Sequence, residues 1–520
     1  MPNPRSDLPE SAPSIASVGA RGFEVDLAGG SERIDTLIAG RRVWSVTASP
    51  ESARVEWPPT LAAHVRGPAD VELRGADSSV LWAGRIEFAP GTHGDGRFVD
   101  ARGRELVVNK WGRPARAVEG DDAFADRLMT SLDAVIAVLE ELGMQPFITG
   151  GTLLGAIRSG DFLPHDDDAD VGYVSKADGR VDVVLESLEL ERALAAAGFD
   201  VRPHSRSHLQ VLFSDAEGRV DHYVDLFPGF TIGDRYCQPI AVRTPARGLA
   251  ILPRTTVPLA GADMPSVADP ETWLARTYGP AWRTPDPSFR FETPPSTRRR
   301  FENWFGVYNT NREFWEDLHA DPDAEEAVDA RLLELLRDRW SSATGVIDLG
   351  SGTGALATAL AGPRLDVVAV DFSRPGLTRA NETADAAGVR VRTVECNLAD
   401  GRALLGAAAP LLRQRRDWHV VLGHVLEGLV PETRAQVLRV VRHLIDGGGE
   451  AVATIGTELP PDYRHEDPRT WHLPVGLLQR EAADAGLRIE TLSTGSWHSL
   501  GARRREATVV MTAEQRGRNR

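Results

Sequence analysis

The feature that most restricts the fold is a repeated alternation of strand-like and helix-like segments from residue 345 to the end of the chain. Its first repeat, GVIDLGSGTGALATALA, is an apolar run followed by a glycine-rich turn and a helix-forming run. Alternation of this kind is typical of a parallel sheet, because each parallel connection needs a crossover. With the helical pattern at about 300–340, it predicts an α/β domain over residues 296–520.

Other boundaries follow from composition. A chain of 520 residues is too long for one core, and about three or four units are expected. The Pro- and charge-rich stretch at 283–300 is predicted to be a linker, with a boundary near 295. Residues 1–20 are Pro- and Ser-rich and are expected to be disordered. Short β-type runs separated by turn residues predict a small β-rich accessory domain over 21–115.

The region 116–295 shows helix and strand signals in turn, which predicts an α+β domain. The run AFADRLMTSLDAVIAVLEELG carries apolar residues at helical spacing and ends at Gly143, a suitable C-terminal cap. Further on, HLQVLFSD and RVDHYVDLFPGF flank a short polar turn and predict a hairpin.

Charge and cysteine content limit the partners and the compartment. The net charge of -16 argues against nucleic acid or an anionic membrane as the main partner, because both select basic patches. Cys237 and Cys396 fall in different predicted domains and imply no disulfide framework. The N-terminus lacks a signal-peptide pattern, and no run of about 18 apolar residues occurs. A cytoplasmic protein without a membrane span is expected, with its oligomeric state undetermined.

The stretch FITGGTLLGAIRSGDFLPHDDDADVGYV, residues 147–174, crowds four aspartates into five positions. On a strand, Asp166, Asp168 and Asp170 share one face and Asp167 points the other way. The later strand containing YVDLF places Asp225 where it can add a carboxylate. Oxygen ligands in this spacing suit Mg²⁺ or Mn²⁺. The predicted metal ligands and catalytic residues are therefore Asp166, Asp168, Asp170 and Asp225. The alternative is a solvated acidic loop.

A phosphate site is predicted just upstream of the aspartates. Gly150 and Gly151 form a turn whose N–H groups a phosphate can approach without meeting a Cβ atom. Arg158 adds a forked cation suited to phosphate oxygens. Together with the aspartates, these residues favour a metal–phosphate site over the solvated loop.

The segment GGTLLGAIRSGDFLPHDDDADVG resembles the signature of the LicD and fukutin-related group of the nucleotidyltransferase superfamily, and YVDLF and WLARTYGPAWRTP resemble its later blocks. The resemblance implies a nucleotidyltransferase-like fold over 116–295. It also implies transfer of phosphocholine or a polyol phosphate from a CDP-linked donor to the hydroxyl of a glycan or glycolipid. His165 stands where the family commonly has Trp. Asp166 is the carboxylate expected to take the proton from the acceptor hydroxyl.

The C-terminal glycine motif leaves two cofactors open on its residues alone, a dinucleotide or S-adenosylmethionine. The order DLGSGTG resembles motif I of class I S-adenosylmethionine-dependent methyltransferases, and VECNLAD and WHVVLGHVLEGL resemble later blocks. The resemblance implies a Rossmann-like methyltransferase in which Asp371 binds the ribose and His424 is a candidate general base, with a structural histidine as the alternative. The remaining implied cofactor contacts are Asp348, Gly350, Gly352 and Gly354 at the methionine end, and Asn397 and Leu398 at the adenine.

Three hypotheses about function follow. The first is a bifunctional enzyme that attaches a phosphorylated group to a glycan and methylates the product or a related glycan. The second is a methyltransferase whose LicD-like domain is a non-catalytic glycan-binding module. The third is direct nucleotidyl transfer to a small molecule, which uses the same metal site.

Overall fold

The computed structural model describes residues 13–27, 31–50, 53–100, 103–109, 112–117, 122–163, 166–177, 179–216, 220–239, 241–321, 328–414, 416–458, 468, 472–499 and 502–514. The chain divides into two compact units, Met1–Gly306 and Val307–Arg520. None of the described helices is long and apolar enough to cross a membrane.

The first part of unit 1 consists of small antiparallel sheets around an aromatic core. Strand orders are β1-β2-β5, β4-β3-β6-β7 and β8-β9. Trp57 lies at the centre of the core, with its ring 4.9 Å from that of Phe23 and 5.4 Å from that of Phe88. The elements are β1 Ser14–Gly19, β2 Gly22–Asp26, β3 Glu32–Ile38, β4 Arg41–Ala48, β5 Arg54–Glu56, α1 Pro59–His64, β6 Ala69–Arg74, β7 Val80–Ile86, β8 Leu106–Val108 and β9 Pro114–Arg116.

The N-terminal segment differs from its prediction of disorder. Residues 14–19 form β1, which pairs antiparallel with β2. Ile15 and Val18 are partly buried against the aromatic core, and this apolar contact explains the order of a Ser-rich segment. The preceding residues 1–12 lie outside the described residues.

The central part of unit 1 is a mixed sheet covered by helices. The sheet order is β10-β11-β14-β13-β12, with β15 and β16 extending from β14. The predicted helix and the predicted hairpin are both present, as α2 and as β13 paired with β14. The elements are α2 Asp122–Glu141, β10 Pro146–Ile148, α3 Gly150–Ser159, β11 Asp168–Val174, α4 Arg180–Ala196, β12 Asp200–Ser205, β13 His208–Ser214, β14 Val220–Ile232, β15 Arg235–Gln238, β16 Val242–Pro245, β17 Thr255–Leu259, β18 Ala262–Ser266 and α5 Pro270–Tyr278.

The end of unit 1 is helical from residue 295, so the predicted linker 283–300 is irregular over 283–294 and helical in its last six residues. Helix α6, Pro295–Phe305, begins with a proline at its first position, where a missing N–H costs nothing. Phe301 and Phe305 are buried in a cluster with Val183 and Phe230. The division between the units therefore falls at residue 306 rather than near 295.

Unit 2 is built around one sheet of order β21-β20-β19-β22-β23-β25-β24. The first five strands in this order, from β21 to β23, are all parallel to their neighbours. Strand β25 is antiparallel to both β23 and β24. The elements are α7 Arg312–Ala320, α8 Ala330–Arg339, β19 Gly345–Leu349, α9 Ala355–Leu360, β20 Asp366–Asp371, α10 Arg374–Ala386, β21 Val391–Glu395, α11 Gly401–Arg413, β22 Trp418–Gly423, α12 Pro431–Leu444, β23 Ala451–Glu458, α13 Val475–Asp484, β24 Leu487–Ser499 and β25 Ala502–Ala513.

Candidate active sites

Two neighbouring strands bring the predicted metal ligands together in unit 1. Strands β11 and β14 are parallel, and Asp170 pairs in register with Asp225. Asp168 lies on the same face of β11 because side chains on a strand alternate with a period of two. Among the described residues, one ligand oxygen from each of Asp168, Asp170 and Asp225 lies within 4.8 Å of the other two. Three carboxylates this close fit a hard divalent cation, which takes oxygen ligands.

Asp166, the fourth predicted ligand, is not a member of this group. It precedes β11 and is only 8% exposed. A Cβ atom at Gly151 would lie 2.5 Å from Asp166 Oδ2, so this carboxylate occupies the space that the glycine leaves open. The neighbouring His165 lies outside the described residues.

The glycine turn contacts the carboxylates directly. Gly150 has φ +52°, and a Cβ atom there would lie 2.1 Å from Asp170 Oδ2. The N–H of Gly151 donates to the same oxygen at 2.8 Å, and Asp170 N donates to Thr152 Oγ1 at 2.8 Å. The turn predicted to bind phosphate therefore has one of its N–H groups engaged with a carboxylate of the acidic group.

Arg158 is not placed at this site. It lies in the last turn of α3, eight residues beyond Gly150, so the helix rise separates the two Cα atoms by about 12 Å. Its guanidinium donates to the backbone carbonyls of Trp282 and Thr284, the latter at 3.2 Å. Burial lowers the pKa of Arg158 from its ordinary value. These contacts anchor the segment after α5, which corrects the predicted role as a phosphate ligand.

Asp225 is surrounded by polar side chains that the sequence analysis did not single out. His208 Nε2 lies 3.1 Å from Asp225 Oδ2, and Gln210 Nε2 donates to Asp225 Oδ1 at 3.2 Å. Burial opposes ionisation of Asp225, but the charges of His208 and His204 and the hydrogen bonds outweigh it, so its pKa lies below its usual range. Asp225 is thus a carboxylate at neutral pH, as a metal ligand must be.

Tyr223 lies among the aspartates. It pairs in register with Asp168. Burial, followed by the charges of Asp168, Asp167, Asp225 and Asp170, raises the pKa of Tyr223 well above its ordinary value. Its hydroxyl stays neutral and can only act as a donor or acceptor of hydrogen bonds.

A second acidic position on β14, Asp221, is neutralised by the protein itself. Arg116 and Arg127 contact its carboxylate at 3.2 and 2.9 Å. Burial opposes ionisation of Asp221, but the interactions with Arg127 and His222 outweigh it and lower its pKa to about 2. His222 bridges Asp221 at 3.0 Å and Ser131 Oγ at 2.8 Å. Ser131 lies within α2 and is 7% exposed, so this Ser–His–Asp arrangement presents no nucleophile to solvent.

The glycine motif of unit 2 forms the turn between β19 and α9. Gly350, Gly352 and Gly354 have φ of +76°, +54° and +72°, values that residues with a Cβ atom rarely adopt. Asp371, at the end of β20, accepts from Gly352 N at 2.9 Å and from Ser373 N at 2.8 Å. A compact turn beside a carboxylate at the end of the next strand is the arrangement that binds a nucleoside with its ribose hydroxyls on the acid.

The other residues predicted to contact the cofactor are Asp348, Asn397 and Leu398. Asp348 is the last residue but one of β19, two residues before Gly350, and is 3% exposed. The amide of Asn397 donates to the Tyr308 carbonyl and accepts from Ala399 N at 2.9 Å. Leu398 belongs to the hydrophobic core of unit 2. The Asn397 amide oxygen, expected to face the adenine, is engaged with the backbone here.

His424 follows β22 in a left-handed conformation, with φ +54°. Its Nδ1 lies 2.9 Å from Glu427 Oε1 and its Nε2 lies 3.5 Å from Glu506 Oε2. Burial alone would lower the pKa of His424, but the two carboxylates raise it to about 9. An imidazolium with both ring nitrogens facing carboxylates cannot accept a proton. This geometry favours the structural alternative over the general base.

Family models match both parts of the chain. The model described as LicD/FKTN/FKRP, nucleotidyltransferase domain, matches residues 143–266, and the model described as methyltransferase domain matches residues 346–449. The protein is therefore an enzyme in which a LicD-like domain is fused to a class I S-adenosylmethionine-dependent methyltransferase domain. No curated protein sequence matches the chain.

Solved structures with some similarity are methyltransferases. A Nostoc punctiforme protein assigned as an O-methyltransferase is 16% identical, with a TM-score of 0.28; the match covers 38% of this chain and 59% of that protein. An Anabaena variabilis S-adenosylmethionine-dependent methyltransferase is 18% identical, with 40% and 95% covered and a TM-score of 0.31. The Synechocystis magnesium protoporphyrin IX methyltransferase with bound S-adenosylhomocysteine is 14% identical, with 42% and 99% covered and a TM-score of 0.28.

Proposed function

We propose that the protein is a bifunctional enzyme of glycan decoration. Its LicD-like domain transfers a phosphorylated small alcohol, of the phosphocholine or polyol phosphate type, from a CDP-linked donor to a glycan hydroxyl. Its C-terminal domain methylates the product or a related glycan with S-adenosylmethionine. The observation that supports the first activity is the convergence of Asp168, Asp170 and Asp225 within 4.8 Å.

Each carboxylate of the acidic site has a proposed role. Asp168, Asp170 and Asp225 hold Mg²⁺ or Mn²⁺, which neutralises charge on the donor diphosphate when bound. Their mutual repulsion disfavours the site without a cation and is relieved when one binds. Asp166 lies beside Gly151 but apart from the metal group, so its carboxylate is the one proposed to accept the proton of the attacking hydroxyl.

In the C-terminal domain, the backbone of the glycine turn and the Asp371 carboxylate are proposed to bind the cofactor. The turn approaches the methionine end, and Asp371 accepts hydrogen bonds from the ribose hydroxyls. Two carboxylate oxygens already oriented by Gly352 N and Ser373 N retain lone pairs for this purpose.

The decisive test of the metal site compares two neighbouring aspartates in one melting experiment. Mn²⁺ with a cytidine diphosphate ligand should raise the melting temperature of unit 1 by mass action. Asp168→Asn removes one ligand charge at constant shape and should abolish this rise. Asp167→Asn should preserve it, because Asp167 Oδ2 instead accepts from Arg116 N at 3.4 Å. Equal loss in both variants would contradict the assignment of the ligand face, and no metal response in the wild type would reject the site.

Product analysis separates the proposed reaction from the two alternatives. Incubation with a CDP-linked alcohol should release CMP and leave the alcohol phosphate on the acceptor. Direct nucleotidyl transfer would release pyrophosphate from CTP. A protein that binds the glycan but forms neither product would be a binding module.

A further inference from the structure

Asp225 is contacted by two polar side chains of the neighbouring strand β13, and a third polar side chain, on strand β12, lies behind them. Gln210 pairs in register with Asp225, and the period of two places His208 on the same side of β13 as Gln210. Each Asp225 oxygen therefore has its own neighbour: Gln210 Nε2 at 3.2 Å from Oδ1, and His208 Nε2 at 3.1 Å from Oδ2. These two contacts restrict rotation of the Asp225 carboxylate about the Cβ–Cγ bond.

The orientation of Gln210 is fixed in turn by a third side chain. Gln210 Oε1 lies 3.1 Å from His204 Nε2. An amide oxygen can only accept, so His204 must carry its proton on Nε2 and donate it. A reversed Gln210 amide would place its oxygen against the Asp225 carboxylate, so the carboxylate selects the amide orientation, and that orientation requires a donor at His204 Nε2. The hydrogen-bonding directions along His204, Gln210 and Asp225 are thus mutually determined.

The histidine rings are held by packing as well. The ring of His208 lies between those of His204 and Phe227, at 4.6 Å from each. His204 is 8% and His208 is 7% exposed. Burying polar side chains costs free energy that apolar residues of the same size would not cost. Packing alone therefore does not explain why two of them contact the Asp225 carboxylate and a third contacts Gln210.

We propose that His208 and Gln210, with His204 behind Gln210, are positioning residues that aim Asp225 at the divalent cation. This inference rests on the proposed metal site. Side chains that orient a metal ligand typically change metal affinity by about 10–100-fold when removed. They act through Asp225 and need not touch the donor or the acceptor.

The test measures Mn²⁺ binding to the full chain by electron paramagnetic resonance, with cytidine diphosphate present. Gln210→Met keeps the length of the side chain but removes both hydrogen bonds, and should weaken Mn²⁺ binding by about tenfold or more. His204→Phe keeps the ring against His208 but leaves Gln210 free to reverse, and should weaken binding by a smaller factor. This second variant also serves if Gln210→Met does not fold.

Gln238→Met is the matched control. Gln238 is also buried in the central sheet, and its amide contacts Thr149 at 3.0 Å and Tyr236 at 3.4 Å. The control should lower the melting temperature without changing Mn²⁺ affinity, as expected of a structural hydrogen bond.

The outcomes distinguish the two proposals. Wild-type Mn²⁺ affinity in both Gln210→Met and His204→Phe would overturn the positioning role and leave the metal site intact. An equal loss of affinity in Gln238→Met would also overturn it, because the effect would then be general destabilisation. Absence of Mn²⁺ binding in the wild type would overturn the metal site and the positioning role together.

Discussion

Gly150 and Gly350 occupy equivalent local positions in the two units, at the turn from a buried strand into a helix or loop. Both have positive φ, and in both a Cβ atom would collide with a neighbour: Asp170 Oδ2 at 2.1 Å for Gly150, and Val425 Cγ2 at 2.3 Å for Gly350. Close by, a backbone N–H donates to an aspartate in each case, from Gly151 to Asp170 at 2.8 Å and from Gly352 to Asp371 at 2.9 Å.

The difference lies in what surrounds each aspartate. Asp170 has Asp168 and Asp225 beside it, and a bound cation would relieve the repulsion between the three carboxylates. Asp371 instead receives a second N–H, from Ser373, which stabilises its charge within the protein. We therefore propose that the same turn and hydrogen bond serve different chemistry, and that charge density distinguishes the proposed metal site from the proposed nucleoside site.

The largest expected effect on stability is at Gly350. Gly350→Ala would be strained by φ +76° and would press against Val425, a branched side chain with little freedom. We expect a loss of about 2–4 kcal/mol in the unfolding free energy of unit 2. Hydrogen exchange of peptides from β19 to β23 in denaturant measures this loss.

Gly388→Ala provides the control for backbone strain. Gly388 has φ +64°, but nothing lies within 4 Å of a Cβ atom there. It should cost only the strain of a left-handed residue, about 1–2 kcal/mol. Equal losses at the two positions would show that contact with Val425 contributes nothing.

The next effect concerns pH and is expected in unit 2. The carboxylates of Glu427 and Glu506 raise the pKa of His424 to about 9, above its ordinary value near 6.5. The resulting stabilisation is fully present below pH 6.5 and is lost as the pH rises through 9. It amounts to up to about 3 kcal/mol. Denaturant unfolding of unit 2 at pH 6 and pH 9.5 measures it.

His424→Asn isolates the contribution of this imidazolium. Asparagine tolerates positive φ, so the variant removes the charge without adding backbone strain. The difference between wild type and variant should be large at pH 6 and small at pH 9.5. A difference that does not change with pH would mean that His424 is neutral in the folded protein.

The smallest effect on stability is expected at Gly150, where the comparison is sharpest. Gly150→Ala would displace the end of the Asp170 side chain, which can move more easily than Val425. Its cost should be close to the strain alone, about 1–2 kcal/mol. The Mn²⁺-dependent rise in melting temperature should nevertheless disappear, because Asp170 is moved away from its two partners. A retained rise would show that Asp170 is dispensable for metal binding.

The grouping of Asp168 and Asp170 with Asp225 could be predicted because strand periodicity needs only local sequence, whereas Asp166 precedes β11 and is not a member of the group. Asp168 and Asp170 follow from their alternation, and Asp225 from the hairpin that leads into its strand. The same alternation in HLQ was available for His208 and Gln210, but an apolar hairpin gives no reason to examine its polar positions. Their contacts with Asp225 follow only from the strand register that places Gln210 opposite Asp225.

Other features could not be read from the sequence because they depend on tertiary contacts. Arg158 follows the glycine turn closely in sequence, but the length of α3 carries it to the carbonyls of Trp282 and Thr284. Glu427 is three residues from His424 in sequence, whereas Glu506 reaches His424 only through the pairing of β23 with β25. The charge state of His424 depends on that distant carboxylate.

Arg116 limits how small a transplantable version of the acidic site can be. It belongs to β9, before the region that the LicD model matches, yet its backbone N–H contacts Asp167 and its guanidinium contacts Asp221. At the other end, Trp273 Nε1 donates to Thr149 Oγ1 at 3.1 Å, immediately before the glycine turn. A graft of the matched segment alone would lack both contacts. The portable module for protein engineering therefore extends from β9 through α5.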